Sequence, residues 1–173
     1  MMQPLSASSN PVPRLQQLLD LLDRQAEAQG LVVPQIVYIE ELRLLPLGTF
    51  GRSLTDFLEQ NNLKPFTTGA RRKQLHDAIH VITGYGTDLI GEAEVQAFLL
   101  GSKFRLINLM LGLGLLRIIY RNQRQQLSWD KLWQAYQRGY HSHLDLDTWQ
   151  PELLWYLPLT DVQALFRLAN SHS

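Results

Sequence analysis

The sequence predicts an all-α protein, a single compact domain of seven or eight helices over residues 13–173 behind a disordered tail of residues 1–12. Apolar residues recur at intervals of three and four along most of the chain, which is the spacing of an amphipathic helix. Residues that cap helices, such as Thr49 and Ser128, stand directly before several of these stretches. A length of 173 residues with 45% apolar content is sufficient for one sizeable hydrophobic core.

The first part of the chain, up to about residue 60, predicts three secondary-structure elements. Leucines at helical spacing predict a helix over Pro13–Ala28, which Gly30 ends. Pro34–Arg43 is helical in its spacing, but its β-branched residues leave a strand possible. Thr49 is placed to cap a helix over Phe50–Gln60.

The second half predicts a run of helices separated by short turns. Gly84 or Gly86 can take the left-handed conformation that ends a helix, and Thr87 or Asp88 can cap the next one. We expect these helices from near Gly69 to the glycine turn, and over Asp88–Leu100, Lys103–Arg121, Ser128–Tyr140, Trp149–Tyr156 and Thr160–Leu168.

Four polar residues around the glycine turn form a candidate metal site. On a helix that turns about 100° per residue, His80 and Asp77 lie roughly 40° and 100° around the axis from His76, so the three share one arc. Two histidines four residues apart can aim their nitrogens at one ion. Glu92 lies one turn into the next helix, where it can return as a fourth ligand.

The types of residue at this site limit the metal. Imidazole and carboxylate ligands suit zinc, manganese or ferrous iron. The chain has no cysteine, which excludes a structural zinc site made of thiolates. Spacing alone leaves two other interpretations open, a pair of hydrogen-bonded core histidines and a Glu92 that only complements a helix dipole. Asp77 is either a ligand or a residue that orients a histidine.

The stretch Lys103–Arg121 is apolar around nearly its whole circumference, with Arg105, Asn108 and Arg117 as the exceptions. Such a helix is either the centre of a core or a wall against lipid. It is not a convincing membrane span, because no run of about 18 apolar residues is free of charge. Glycine costs about 0.5–1 kcal/mol against alanine inside a helix, so the glycines at 112 and 114 indicate close approach of another backbone or of a ligand chain.

The charge pattern excludes some partners and adds weaker candidate sites. Sixteen basic residues balance sixteen acidic ones, so no net field attracts nucleic acid or an anionic membrane. Arg72 and Lys73 lie on the helix that begins near Gly69, on the same side as the candidate metal ligands. They either bind a carboxylate or phosphate headgroup or form the solvated start of this helix. His141 and His143, near two aspartates, are a weaker second metal candidate. Residues 1–12 lack the layout of a secretory signal.

The pattern His76-Asp77-x-x-His80, followed by eleven residues and Glu92, resembles the signature of the coenzyme Q (ubiquinone) biosynthesis protein four family. The likeness extends over roughly residues 45–168. Its other segments are Leu45–Arg52 leading into Phe57-Leu58, Gly91-Glu92 with Val95–Phe98, Ala135–Gly139, Leu153–Trp155, Pro158-Leu159 and Val162. The resemblance favours the metal interpretation of His76, Asp77, His80 and Glu92.

The resemblance also implies a function. Family members act on polyprenylated rings, which implies a hydrophobic channel, with Leu109, Leu113 and Leu116 as the residues expected to line it. It implies loss of the ring C1 carboxylate of a polyprenyl-hydroxybenzoate and its replacement by a hydroxyl at the metal. Zinc is the metal expected first, with iron, manganese and magnesium open. A prenyl-lipid-binding scaffold without catalysis and a helical metal-dependent phosphohydrolase are the alternatives.

The same resemblance implies the partners and the location. We expect a polyprenyl lipid or polyprenylated ring, other quinone-biosynthesis proteins and the membrane surface as partners, with a homodimer as the assembly. A chain of this kind, without a clear transit peptide, is expected in the cytoplasm with peripheral attachment to the membrane.

Overall fold

Eight α-helices and one short 3-10 helix make up the described part of the chain, which comprises residues 30, 32–122 and 127–168 of a computed structural model. Within these ranges there is no β-strand, only isolated antiparallel bridges of Val32 with Ala70 and of Thr49 with Pro158. The all-α prediction, with its single compact domain, is therefore confirmed. The predicted tail and the helix predicted over Pro13–Ala28 lie outside the described residues.

The helices follow one another through short connections. They are α1 (Ile39–Leu42), α2 (Phe50–Gln60), α3 (Arg71–Gln74), α4 (His76–Thr83), α5 (Leu89–Ser102), α6 (Leu106–Asn122), α7 (Trp129–His141) and α8 (Leu159–Leu165), with the 3-10 helix Pro151–Leu153 before α8. Several predicted lengths were wrong. In the segment Pro34–Arg43 only Ile39–Leu42 is helical, and the helix predicted to end at Leu168 ends at Leu165. Leu75, at φ −94° and ψ 0°, separates the motif helix into α3 and α4. The helix predicted over Trp149–Tyr156 is only the 3-10 helix, and Pro158 prevents it from continuing into α8.

Side-chain caps position the helices that matter for the site. Thr49 accepts a hydrogen bond from the Arg52 amide at the start of α2, as predicted. Asp88 accepts a bond of 2.7 Å from the Gly91 amide at the start of α5. Gly84 ends α4 with a φ of 78°, in the left-handed region that suits glycine. The turn between α4 and α5 is therefore set by local sequence at both ends.

The main hydrophobic core surrounds α4, where every residue from Asp77 to Thr83 is buried. Leu75, Ile79 and Ile82 supply its apolar contacts, each at most 1% exposed. A second, smaller cluster lies between α5, α6 and α7 and consists of Ala93, Leu115, Ile119 and Leu132. α5 thus packs between both clusters, and its position against α4 is held from two sides.

Helices α5 and α7 approach each other closely through glycines. A Cβ atom added at Gly101 would lie 2.0 Å from the Tyr136 carbonyl oxygen, and one at Gly139 would lie 2.0 Å from the Phe98 carbonyl oxygen. No side chain fits at either position, so both helices come together at their backbones. This contact holds the C-terminal half of α5 rigidly.

Helix α6 has one face in the smaller core and one face in solvent. Asn108, Leu115 and Ile119 are buried on the inner side. The outer side exposes a row of large apolar residues at helical spacing: Leu106, Met110, Leu113 and Tyr120. Among the described residues, no helix is sufficiently long and apolar to cross a membrane.

Candidate metal centre

Two helices and the turn between them build the site from the bottom up. α4 lies in the core, where the side chain of His80 is only 1% exposed, whereas the side chain of His76, the first residue of α4, is 31% exposed. The Gly84 turn reverses the chain, and the Asp88 cap starts α5 against α4. Glu92, in the first turn of α5, consequently returns to both histidines.

The three side chains meet with their metal-binding atoms together. His76 Nε2 lies 3.3 Å from Glu92 Oε2, and His80 Nε2 lies 3.1 Å from Glu92 Oε1. One ligand atom from each residue lies within 4.8 Å of the other two. Ligands around one tetrahedral zinc ion, at bonds of about 2.0–2.1 Å, are separated by roughly 3.3 Å. The spacing of these donors therefore fits a single small divalent ion.

The other ring nitrogen of each histidine is held from outside the cluster. His80 Nδ1 lies 3.1 Å from the Tyr85 carbonyl oxygen, to which it donates its hydrogen. His76 Nδ1 lies 3.4 Å from Asp77 Oδ1. A histidine that donates from Nδ1 presents the lone pair of Nε2, which is how metal-binding histidines are normally oriented.

His80 carries an unsatisfied polar atom. Its side chain is only 1% exposed, and its buried Nε2 makes no hydrogen bond of acceptable geometry even though Glu92 is near. A buried polar atom left without a partner is costly. A cation between the two imidazoles and the carboxylate would supply that partner, so these residues fit a bound metal.

The cluster is strongly coupled electrostatically. Burial alone would lower the pKa of His76, but Asp77 and Glu92 outweigh it and raise this pKa to about 10. Burial alone would raise the pKa of Glu92, but its contacts with His76 and His80 lower it to about 2. Each of the two groups therefore favours the charged form of the other, and a metal ion at this position would compete with the proton on His76.

Asp77 lies beside the three converging residues. Its side chain is 12% exposed, and its carboxylate faces His76 Nδ1, the nitrogen that points away from Glu92. In this position it is placed to orient His76 and to favour its charge. The converging group consists of His76, His80 and Glu92.

The residues predicted to bind a headgroup have separate surroundings. Arg72 Nη2 donates to Asn108 Oδ1 of α6, and burial lowers the pKa of Arg72 while Asp147 partly opposes that effect. The Lys73 ammonium lies 5.2 Å from the centre of the Phe66 ring. Sequence reasoning missed Asn108 as the partner of Arg72, because the contact joins residues 36 positions apart.

The residues expected to line a lipid channel all lie on α6. Leu109 and Leu116 are half-buried, and Leu113 is 57% exposed. Leu116 packs against the smaller core cluster. These three leucines are therefore at the margin between the core and the exposed row of α6.

A cleft that the sequence did not indicate borders His80. Its volume is about 350 Å³, in the range of small-molecule pockets. Helix α2, the end of α4 and α8 line it with the residues Ser53, Asp56, Phe57, Gln60, His80, Val81, Gly84, Tyr85 and Leu159. The Phe57 ring stacks on His80 with centroids 5.8 Å apart, which holds the imidazole from this side.

The weaker candidate around His141 and His143 has a different arrangement. Both histidines are exposed, and the nearby Asp145 lies 2.7 Å from the Lys103 ammonium. Asp147 pairs with Lys103 and with Arg105. Across the described ranges, the group formed by α4 and α5 is the one set of three or more His, Cys, Asp or Glu residues that converges closely enough to hold a metal.

Fold and site together define an all-helical protein with a candidate His/His/Glu metal centre between two adjacent helices. Residues 26–168 match the family described as coenzyme Q (ubiquinone) biosynthesis protein Coq4, and the chain belongs to this family. The resemblance inferred from the motif is thereby confirmed.

Individual relatives are more distant. The mitochondrial ubiquinone biosynthesis protein COQ4 homologue of Bos taurus is 32% identical over 34% of this chain and 27% of its own length. The homologue of Danio rerio is 30% identical over 35% of this chain and 27% of its own length. The chain thus matches about a quarter of the length of these relatives. A crystal structure of a protein of Nostoc punctiforme, described as a candidate ubiquinone biosynthesis protein, has a TM-score of 0.68 at 20% identity and covers 92% of this chain and 83% of its own. At this identity the likeness shows the fold alone.

Proposed function

We propose that this protein acts in the biosynthesis of a ubiquinone-type prenylquinone, binding a polyprenylated aromatic ring beside a divalent metal. The observation that carries the proposal is the convergence of His76, His80 and Glu92 in a chain of the Coq4 family. As its activity we propose oxidative decarboxylation at ring C1 of a polyprenyl-hydroxybenzoate. The carboxylate is lost as carbon dioxide and a hydroxyl takes its place, which is a two-electron oxidation of the ring. It balances when one dioxygen and one water are consumed and one hydrogen peroxide is released.

The residues of the site have separate tasks in this proposal. His76, His80 and Glu92 hold the ion, with zinc expected first and iron, manganese or magnesium as alternatives. A bound divalent ion supplies a Lewis acid toward the substrate carboxylate. Side chains of His76 and Glu92 are 31% and 26% exposed, so the ion can be approached from their side. Asp77 and the Tyr85 carbonyl fix the imidazole rings.

The exposed side of α6 supports the lipid part of the proposal. Leu106, Met110, Leu113 and Tyr120 form an apolar row, and single-sided apolar helices of this kind bind at membrane interfaces. We propose that Leu109, Leu113 and Leu116 contact the polyprenyl tail and that the row rests on the membrane. Peripheral attachment, association with other quinone-biosynthesis proteins and homodimer formation are parts of the same proposal.

A scaffold without catalysis is the second candidate. The extended apolar row of α6 favours it, because a surface that binds lipid or partner proteins does not require turnover. In that case the metal would hold the headgroup only. Both candidates share the metal centre and the lipid and differ in whether the headgroup changes.

Mass spectrometry distinguishes the two candidates. Metal-loaded protein is incubated aerobically with a geranylgeranyl-hydroxybenzoate, the lipid is extracted, and its molecular mass is measured. Product in which a hydroxyl has replaced the carboxylate supports the enzyme, provided that the His80→Ala variant forms none. Bound lipid with an unchanged headgroup supports the scaffold. A protein that takes up neither a divalent metal during loading nor the lipid afterwards would contradict the proposed function in either form.

A further inference from the structure

A buried amide lies one helical turn beyond the metal ligand of α5. Gln96 follows Glu92 by four residues, so the two side chains project from the same face of the helix. Gln96 is 5% exposed, and its Oε1 is buried with no hydrogen-bond partner. Buried side-chain carbonyls nearly always have a partner in folded proteins. The unpaired oxygen therefore requires an explanation.

Another buried glutamine of the same chain shows the contrast. Gln74 is 2% exposed, and its Oε1 accepts a hydrogen bond of 2.9 Å from the Ile36 amide. Its Nε2 donates to the Val33 carbonyl at 3.1 Å. This core can satisfy a buried amide with backbone groups, and at Gln96 the Oε1 atom is left unpaired.

The residue that faces Gln96 across the helix interface is a glycine without a packing reason. A Cβ atom at Gly112 would lie 3.6 Å from Gln96 Cβ, which is an ordinary contact. At Gly101, by contrast, an added Cβ would lie 2.0 Å from a backbone oxygen. Alanine would fit at position 112 and would favour the helix. Glycine there leaves a methyl-sized space over the Gln96 Cβ atom, on the same side chain as the unpaired amide oxygen.

Polar residues flank this space at both ends. Asn108, one turn before Gly112 on α6, is 2% exposed and accepts a hydrogen bond from Arg72. Glu92, one turn before Gln96 on α5, belongs to the metal centre. The Gln96–Gly112 contact thus lies between α5 and α6. The turn before Gln96 carries Glu92, and the turn before Gly112 carries Asn108, which bonds to the half-buried Arg72.

We propose that the Gln96–Gly112 contact is the subsite for the aromatic ring of the ligand, an inference that rests on the proposed function. Gln96 Oε1 accepts a hydrogen bond from a ring hydroxyl, and the missing side chain of Gly112 leaves room for the ring edge. One helical turn is about 5.4 Å along the axis. This rise suits a ring whose carboxylate lies at the level of Glu92 and whose hydroxyl lies at the level of Gln96. Gln96 is then a residue that determines specificity for hydroxylated rings.

The test compares two ligands and four variants. Zinc-loaded protein is titrated calorimetrically with 3-geranylgeranyl-4-hydroxybenzoate and with 3-geranylgeranylbenzoate, which lacks the hydroxyl. We expect the wild type to prefer the hydroxylated ligand about tenfold, the effect of one well-placed hydrogen bond. Gln96→Met should reduce this preference to within about twofold, and Gly112→Ala should weaken binding of both ligands. Gly114→Ala, on the same helix with nothing within 4 Å of the added Cβ, should leave both affinities unchanged.

Thermal stability without ligand provides a second readout that does not depend on turnover. Gln96→Met removes an unpaired polar group, so its Tm should rise by about 2 °C or more. Gln74→Met removes a fully bonded amide, so its Tm should fall. Both glycine-to-alanine variants should have a higher Tm than the wild type, because alanine favours the helix. Only one of these two, Gly112→Ala, should also lose affinity for ligand.

The outcomes separate the subsite from the function on which it rests. Gln96→Met with an unchanged preference, or with a Tm lowered as in Gln74→Met, shows that Gln96 is a structural residue and overturns the subsite. Equal affinity of the wild type for both ligands has the same consequence, while the proposed function stands. Metal-loaded wild type that binds neither ligand overturns the proposed function and the subsite with it.

Discussion

At the scale of single residues, His80 connects the chemistry of the site with the core of the protein. It is nearly inaccessible to solvent, its ring is held by Phe57 and by the Tyr85 carbonyl, and its remaining nitrogen has no hydrogen-bond partner. A side chain held in this way loses little conformational entropy when a ligand binds. The contacts that orient His80 come from the protein itself, which is the support that a preorganised metal ligand requires.

Replacement of His80 by alanine should abolish metal binding, since one of three converging ligands is lost, while most of the helix content remains. Elemental analysis gives the metal content and circular dichroism gives the helicity. His143→Ala is the matched control, because His143 is exposed and lies outside the converging group. Full metal occupancy of the His80→Ala protein would remove this residue from the site.

Asp77→Asn tests whether this carboxylate binds the ion or orients His76. An orienting role predicts a loss of metal affinity of about 10–100-fold, the usual effect of removing such a partner of a ligand. Competition with a chelator of known affinity measures the loss, and Glu92→Gln provides the comparison for a direct ligand. If both variants lose the metal to the same degree, Asp77 belongs among the ligands.

The coupled pKa values predict opposite effects of pH on stability and on metal binding. The pKa of His76 is raised from 6.5 to about 10 in the folded protein, so its contribution to stability is complete below pH 6.5 and is lost as pH rises toward 10. The pKa of Glu92 is lowered from 4.5 to about 2, so its contribution is present above pH 4.5 and is lost as pH falls toward 2. Metal binding displaces the His76 proton, so zinc affinity should rise between pH 6.5 and 10.

Melting curves of metal-free protein check the first part of this prediction. Between pH 7 and pH 10 the Tm of the wild type should fall more than that of His76→Gln, which lacks the titrating group. Calorimetry in buffers of different ionisation enthalpy measures the proton released as zinc binds. If the Tm of the wild type and that of His76→Gln fall by the same amount between pH 7 and pH 10, His76 is not the titrating group.

At the scale of helices, the position of α5 determines whether the site exists. Its N-terminal turn carries Glu92, and its C-terminal half is held against α7 by glycine contacts without room for a side chain. A shift of α5 along its axis would move Glu92 away from the histidines. Packing far from the site is thus a condition for Glu92 to meet both histidines.

Gly139→Ala should destabilise the protein by at least about 1–3 kcal/mol, because the new methyl group would overlap the Phe98 carbonyl. Metal affinity should fall at the same time, since α5 has to move. Urea denaturation and metal titration measure the two effects. Gly114→Ala is the control and should instead stabilise the protein by about 0.5–1 kcal/mol, because alanine favours a helix over glycine. The added methyl group has no atom within 4 Å with which to clash.

The outer row of α6 permits a separate test of membrane attachment. Leu113→Glu places a charge on an exposed apolar position, so it should reduce sedimentation with phosphatidylcholine–phosphatidylglycerol vesicles while leaving the Tm within about 2 °C. Leu44→Glu alters an even more exposed leucine away from α6, at 85% exposure. Equal losses in both variants, or none in either, would show that the row is not the membrane contact.

At the scale of the whole molecule, local patterns predicted most of the helices. Thr49, Asp88 and Ser128 cap their helices as expected, because a cap depends on neighbouring residues and needs no distant contact. The bounds of α2 were predicted correctly for the same reason. The break at Leu75 carried no local signal, and the short 3-10 helix near Pro151 was overestimated as an α-helix.

The composition and order of residues were sufficient for an all-α fold, for the family, and for two histidines on one side of a helix, since helical geometry and caps depend on residues a few positions apart. The tertiary structure alone decided that Glu92 meets both imidazoles, that Asp77 faces the opposite nitrogen, and that Arg72 bonds to Asn108. It also decided that Gln96 Oε1 is left without a partner opposite Gly112. The physical reason is that these contacts join separate helices, whose relative positions depend on packing of the entire core.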